Sequence, residues 1–183
     1  MKRIAGADVS VKGGTARAVV AVLELPGLNL LEYASAEQEV TFPYVPGLLT
    51  FREGPVIMHA IEKLNERPDV IIFDGQGIAH PRRLGIASHI GLLADIPAIG
   101  CAKSRLCGRH EEPGMEKGDF SLLRDGPEII GAVVRTRRNV KPVYVSIGHR
   151  ISLKSSIEYV LACATRFRLP ETTRFAHHLA GET

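Results

Sequence analysis

The order of apolar and polar residues predicts an α/β chain in which antiparallel strands come first and β/α units follow. Three long strands separated by glycine-containing turns open the chain, and later apolar runs alternate between short strands and helical repeats. The predicted strands are 4–11, 16–25, 30–40, 69–73, 96–101, 128–136 and 143–147, and the predicted helices are 50–65, 84–94, 152–166 and 171–180. This order is typical of a mixed central sheet flanked by helices, and residues 1–183 are expected to form a single domain.

The segment 69–85 changes character in its middle, where an apolar strand meets a polar loop. Val70–Phe73 is continuously apolar, which is typical of a strand buried on both faces. The strand ends on Asp74, and Gly75, Gly77 and His80 follow within a glycine-rich, basic loop. A buried strand that delivers an acid into such a loop is a common site of chemistry in α/β sheets, although Asp74 alone would also fit a simple turn.

Composition limits the class of protein without revealing its chemistry. Hydrophobic residues make up 45% of the chain and charged residues 23%, which is ordinary for a globular protein. No apolar run reaches the roughly 18 residues of a membrane helix, and Met1-Lys2-Arg3 leads straight into a strand. We therefore expect a cytoplasmic monomer with no membrane partner. Cys101, Cys107 and Cys163 are expected to be reduced, and a zinc site with His110 is disfavoured because no CxxC pair occurs.

Charge is distributed unevenly along the chain. The first 100 residues carry 9 Lys+Arg against 11 Asp+Glu, whereas residues 101–183 carry 14 against 9. The basic half is either an ordinary solvated surface or a surface that meets phosphates beside an acidic, cation-binding centre.

Three carboxylates are candidates for such a centre. Asp8 lies in a predicted strand, where an acid is unusual, Glu53 lies on the first helix, and Asp74 ends the fourth strand. If the fourth strand pairs beside the first, these acids converge and repel one another unless a cation lies among them. Carboxylate oxygens suit Mg²⁺ or Mn²⁺, the ions of metal-assisted phosphodiester cleavage. Two alternatives stay open: Asp8 faces solvent, or Glu53 forms a capping box with Thr50 at the start of the helix.

Six short motifs, taken together, are highly specific for one family. They are IAGADVS at 4–10, PYVPGLL at 43–49, FREGP at 51–55, FDGQGIAHPR at 73–82, AKS at 102–104 and TRFAH at 173–177. In this order, which covers almost the whole chain, they closely resemble endonuclease V, an inosine-directed nuclease family of the ribonuclease H-like group. The resemblance implies a ribonuclease H-like fold.

The resemblance also implies a role for each matched catalytic residue. In the family, the acids that match Asp8, Glu53 and Asp74 form the metal site, which favours the metal site over the capping box. The lysine that matches Lys103 contacts the scissile phosphate, and its place after a predicted strand agrees with a position at the same edge as Asp74. The histidine that matches His177, rather than the histidine that follows it, is placed near the metal-bound nucleophile or the phosphate.

Substrate-binding elements follow from the same resemblance. The wedge that fills the space left by an extruded base would be Pro43, Tyr44, Val45 and Pro46. The base pocket would be built largely from backbone around Gly47, Leu49, Gly75, Gly85 and Ile86, because a missing Cβ lets amides approach a base edge. Phosphates would be held by Arg52, His80, Arg82, Arg83 and the basic turn Arg137-Arg138.

The implied function is a Mg²⁺-dependent endonuclease, with Mn²⁺ as a substitute, that recognises deoxyinosine in DNA and acts in DNA repair. It would nick the second phosphodiester bond on the 3′ side of the lesion. Two alternatives remain: an inosine-specific endoribonuclease with the same site, or a catalytically impaired inosine-binding module. The chain carries Val45 where isoleucine is usual, and it is expected to lack the N-terminal helical extension that family members generally have.

Overall fold

The computed structural model describes residues 2–45 and 47–181, which form an eight-stranded mixed sheet with helices on both faces. The strands are β1 (Lys2–Lys12), β2 (Thr15–Leu25), β3 (Leu30–Glu39), β4 (Val70–Phe73), β5 (Ala98–Ala102), β6 (Phe120–Asp125), β7 (Glu128–Val134) and β8 (Val143–His149). The helices are α1 (Leu49–Glu62), α2 (Ile86–Ala94), α3 (Leu153–Cys163) and α4 (Glu171–Gly181). Within these described ranges, no helix is long and apolar enough to cross a membrane.

The sheet order is β3-β2-β1-β4-β5-β8-β7-β6, so the predicted antiparallel meander is confirmed. Strand β4 pairs beside β1, which meets the condition for the three acids to converge. Strands β1, β4 and β5 run parallel to one another, which brings their carboxyl ends to the same edge. Strand β8 runs antiparallel to β5, and therefore the turn between β7 and β8 also lies at this edge. The edge formed in this way is called the catalytic edge below.

The core lies on both faces of the sheet, because side chains alternate between the two faces along each strand. On one face, Ala5, Ala7, Ile71 and Phe73 belong to the cluster that packs beneath α1 and α2. On the other, Ile4 belongs to the cluster that α3 and α4 cover, together with Val70 and Ile72. Burial on both faces explains the continuous apolar run of β4, which the sequence shows plainly.

Two local predictions were wrong. Strand β6 falls in a part of the chain for which no element was predicted, because only Leu123 of its six residues is fully buried and the apolar alternation is weak. Helix α1 begins at Leu49, with Leu48 as its N-cap and no side-chain capping bond, so Thr50 lies inside the helix and is buried. The capping box of Thr50 and Glu53 is therefore absent, which leaves the Glu53 carboxylate available for another role.

Candidate active site

The site begins with two carboxylates that the pairing of β1 with β4 sets side by side. The parallel register places Ala7 opposite Phe73. Asp8 is the next residue of β1, and Asp74 directly follows the end of β4. The Asp8 side chain points to the face covered by α3 and α4, since it has the same parity along β1 as Ile4, which faces that side. The register of one strand pair thus brings together two acids that lie far apart in the sequence.

Glu53 joins them from helix α1 on the opposite face of the sheet. Burial raises the pKa of its carboxyl to about 7, and repulsion from Asp8 and from Asp74 acts in the same direction, while Arg52 opposes it. The pKa of Asp8 is also raised, first by burial, although its hydrogen bond with His177 opposes that effect. Because the charges of Asp8 and Asp74 act on Glu53, the three acids share one electrostatic environment, as the sequence predicted.

Lys103 and His177 each contact one of these acids. The Lys103 ammonium forms an ion pair with Asp74 from the residue just after β5. His177, on α4, lies with its Nδ1 atom 2.7 Å from Asp8 Oδ2, and the ring is 76% exposed whereas Asp8 is 15% exposed. All five residues predicted to be catalytic therefore lie close together, around Asp8 on β1 and Asp74 directly after β4.

A glycine in β1 allows α4 to come close enough for this contact. A Cβ added to Gly6 would lie 2.2 Å from the carbonyl carbon of Thr172 and 2.5 Å from the amide nitrogen of Thr173. No side chain fits in that space, so the first turn of α4 lies directly on the backbone of β1. His177 is thereby brought over Asp8, two residues beyond this glycine.

Asp8, Glu53 and Asp74 suit a hard divalent cation, because carboxylate oxygens are the ligands that such a cation prefers. Their negative charges also repel one another, and a positive ion among them would remove that repulsion. Within residues 2–45 and 47–181, however, no three His, Cys, Asp or Glu side chains stand together in a ready-made metal cluster. Asp8 is instead hydrogen-bonded to His177, and Asp74 forms an ion pair with Lys103. A cation held by these acids would compete with both of those contacts.

A cavity of about 330 Å³ opens beside these residues and joins several of the predicted elements. All five predicted base-pocket residues line it, namely Gly47, Leu49, Gly75, Gly85 and Ile86. Tyr44 and Val45 of the predicted wedge also line it, as do Asp74 and Lys103. Pro46, also predicted for the wedge, lies outside the described residues, and Pro43 is exposed on the same loop.

Three residues predicted to bind phosphate have partners within the protein. His80 is 5% exposed, and its ring accepts a hydrogen bond from the Arg82 amide over 3.1 Å and bonds to the backbone of Gly47. Arg82 also donates to the Gly47 carbonyl over 3.3 Å. Burial lowers the pKa of His80, so the neutral ring holds the wedge loop against the loop after β4. This geometry disagrees with a direct phosphate contact for His80.

Arg83, also predicted to bind phosphate, makes several contacts within the protein. Its guanidinium lies 2.8 Å from both Asp125 and Glu128, and it donates to the His80 carbonyl over 2.9 Å. These bonds tie the loop after β4 to the β6–β7 hairpin. Arg83 is thus a structural link in this structure rather than a free cation.

The remaining basic candidates stay near the catalytic edge. Arg52 donates to the Phe42 carbonyl over 3.3 Å, just before the wedge, and Arg138 in the β7–β8 turn pairs with Glu116 at 3.0 Å. Sequence reasoning gave no role to several cavity residues, namely Gln76, Leu84, Ser104, Arg105 and Leu106. Gln76 and Ser104 lie within quoted motifs, which was the available signal, whereas the other three carry none. Sequence reasoning also missed Arg168, which contacts the main chain of Lys103.

The mixed sheet and its flanking helices have the ribonuclease H-like fold, and an acid on β1, one directly after β4 and one from α1 are typical of nucleases of this class. The sequence model of the family described as Endonuclease V matches residues 1–178. The chain therefore belongs to the endonuclease V family, and it is an endonuclease that acts on DNA.

Individual relatives agree with this assignment. The endonuclease V of Roseiflexus sp. (strain RS-1) is 53% identical over 181 residues, which are 99% of this chain and 82% of that protein. The crystal structure of endonuclease V from Streptomyces avermitilis is 42% identical, with a TM-score of 0.93 over 97% of this chain and 79% of the other. Endonuclease V of Ciona intestinalis, solved with a 24mer DNA containing an inosine followed by a ribo-adenosine, is 27% identical, with a TM-score of 0.84 over 98% and 84% of the two chains.

Proposed function

We propose that this endonuclease recognises deoxyinosine in DNA and nicks the second phosphodiester bond on its 3′ side, as a step in DNA repair. The observation that carries the proposal is the single cavity that runs from Tyr44 to Asp74 and Lys103. Its volume lies at the lower end of ligand pockets, which span roughly 300–1,000 Å³, and suits one extruded base. The complex of the Ciona relative with inosine-containing DNA supports the same substrate.

Base recognition would rest on the backbone. Glycines at 47, 75 and 85 line the cavity, so a flat base can come close to the main chain without a side chain between them. The amides of Gly75 and Gly85 donate to the carbonyls of Phe73 and Gly77, so the Gly47 amide would be the donor to the base. Amide donors suit the O6 carbonyl of hypoxanthine, whereas the amino group of adenine would leave them unpaired. Tyr44, which is 68% exposed on the wedge loop, would take the place of the extruded base in the stack.

The chemistry would be carried out by the cluster at the catalytic edge. A divalent cation held by Asp8, Glu53 and Asp74, either Mg²⁺ or Mn²⁺, would supply charge stabilisation and an activated water. Lys103 places a positive charge beside Asp74 in the lining of the cavity, where it would offset negative charge that develops on the phosphate. His177 donates from Nδ1 to Asp8, which leaves Nε2 as an acceptor that can hold or take a proton from water.

An inosine-specific endoribonuclease is the second candidate. The nucleic acid bound by the Ciona relative has a ribonucleotide after the inosine, which shows that a ribose at this position is compatible with the family's site. The same cluster of residues would serve either sugar. Only the rate on the two substrates distinguishes these candidates.

The test is a cleavage assay on matched oligonucleotides that carry one deoxyinosine in DNA or one inosine in RNA, each with Mg²⁺, with Mn²⁺ or with EDTA. We expect a metal-dependent nick after deoxyinosine, and sizing of the product gives its position. Faster cutting of RNA would favour the second candidate. Tight binding without a nick in either metal would show an impaired binding module and overturn the proposal.

Substitution at the carboxyl end of β4 tests the assigned site. Asp74→Ala should abolish cleavage and retain binding of the inosine duplex, because the cavity keeps its backbone. Asp69→Ala is the matched control, since Asp69 precedes the same strand at the opposite end and bonds to the Arg3 amide. If Asp74→Ala cuts at the wild-type rate, the site has been assigned wrongly.

A further inference from the structure

Lys103 is held at its main chain by a residue far along the sequence. The ladder between β5 and β8 ends where Ala102 pairs with Tyr144, so Lys103 is the first residue beyond the sheet. Arg168 Nη2 donates to the Lys103 carbonyl over 2.6 Å and to the Pro142 carbonyl over 2.7 Å. These bonds join the end of β5 to the start of β8, beyond the point where the strands themselves are paired.

Arg168 is itself anchored. Its own carbonyl accepts a hydrogen bond of 2.6 Å from the hydroxyl of Thr136, a fully buried residue just after β7. Arg168 lies in the connection between α3 and α4. The start of that connection is held by Lys117, which donates to the Ala164 carbonyl over 2.7 Å. Arg168 therefore links the ends of three strands to the segment that leads into the helix carrying His177.

One terminal nitrogen of the guanidinium is committed within the protein. Both hydrogens of Nη2 are used by the two carbonyls, and the Nε atom is buried without a hydrogen-bond partner. An arginine that contacts DNA phosphates needs these donors free for a bidentate contact. The bonds instead point inward, to the main chain of the residue that carries the lysine ammonium.

We propose that Arg168 is a positioning residue for Lys103. By fixing the Lys103 carbonyl, it keeps the ammonium over Asp74 and over the place of the scissile phosphate. This inference rests on the proposed function, in which Lys103 acts on that phosphate. A misplacement of about 1 Å in such a group can cost on the order of 10²-fold in rate.

The test is a double-mutant cycle on single-turnover cleavage of the deoxyinosine duplex, with Kd measured separately. Arg168→Ala should reduce the rate about 10- to 100-fold with Kd changed less than about threefold, because Arg168 acts through the placement of Lys103. In the Lys103→Ala background, the same substitution should have almost no further effect on the rate. Arg168→Lys, which retains a donor, should recover part of the lost rate.

Arg67→Ala is the matched control. Arg67 also donates to two main-chain carbonyls, those of Ala94 and Asp95, but at the amino ends of β4 and β5. It should lose comparable stability in urea unfolding and keep the wild-type rate.

Three results would count against this inference. Independent, multiplicative effects of Arg168→Ala and Lys103→Ala would overturn it, as would a large loss of binding with an unchanged rate. An unchanged rate in Arg168→Ala would do so as well. Each of these three results bears on Arg168 only when the wild-type enzyme nicks the duplex and the Lys103→Ala variant is impaired. A wild-type chain that does not cut, or a fully active Lys103→Ala variant, would instead count against the proposed function.

Discussion

Glu53 offers the most discriminating test of the acidic site, because removing it should stabilise the metal-free protein while abolishing its activity. Its carboxyl is mostly buried near two other acids, and the pKa rises from 4.5 to about 7. A shift of this size corresponds to about 3 kcal/mol of unfavourable free energy for the charged form, as an upper estimate.

The sign of the pH dependence follows from the raised pKa. Between about pH 4.5 and pH 7 the folded protein binds more protons at Glu53 than the unfolded chain does, so stability falls as pH rises through this window. The full penalty is present above pH 7 and absent below pH 4.5. Glu53→Gln, which cannot ionise, should therefore be more stable than wild type by about 1–3 kcal/mol near pH 8 and about equal to it near pH 4.

The assay is urea unfolding in EDTA at several pH values, with wild type and variant compared at each pH. Glu62→Gln is the matched control, because Glu62 is exposed at the end of the same helix. Saturating Mg²⁺ should reverse the order, since a cation bound to the native site stabilises only the chain that retains all three carboxylates. Equal stability of wild type and Glu53→Gln at pH 8, or the same gain in Glu62→Gln, would refute the reasoning.

Three further predictions concern the contacts around this site. His177→Ala should lower the cleavage rate by about 10²-fold or more, whereas His178→Ala should not, because His177 is the histidine assigned to the site through its bond to Asp8; equal effects in the rate assay would contradict this. Gly6→Ala should cost about 1–3 kcal/mol or more in urea unfolding and also reduce activity, since its Cβ would overlap Thr172 and displace α4; unchanged stability and rate would show that the close packing is not needed. Tyr44→Ala should weaken binding of the inosine duplex about tenfold without loss of stability, while Tyr44→Phe keeps its ring and binds normally; similar losses in both variants would exclude stacking.

Much of the fold could be predicted because its signals are local. The continuous apolar run of β4, the glycine turns of the meander and the helical repeats each reflect burial, which depends mainly on the residues of one segment. The pairing of β4 with β1 was only a condition of the sequence argument, and the structure supplies it. Strand β6 could not be predicted, because it is a weakly buried edge strand that exists through its pairing with β7.

The candidate site was also predictable in part from the sequence. The residue types and their motifs identified the three acids, Lys103, His177 and the glycines of the pocket, and the structure brings them to one edge. Taken alone, the segment around Glu53 fits a capping box, an alternative that the family motifs disfavoured, and His80 was a candidate for a phosphate contact; both are reasonable local roles. Burial decided otherwise: Glu53 lies inside helix α1 near Asp8, and His80 is enclosed by its own loop.

Partners far along the chain were decided by tertiary structure alone. Arg83 meets Asp125 and Glu128, and Arg168 reaches the main chain of Lys103, across separations of 42, 45 and 65 residues. An arginine carries no local sign of which carboxylate or carbonyl it will contact, because that depends on which strands and loops are neighbours. The sequence by itself determined which chemical groups this protein has, and the packing of strand ends determined which of them act together.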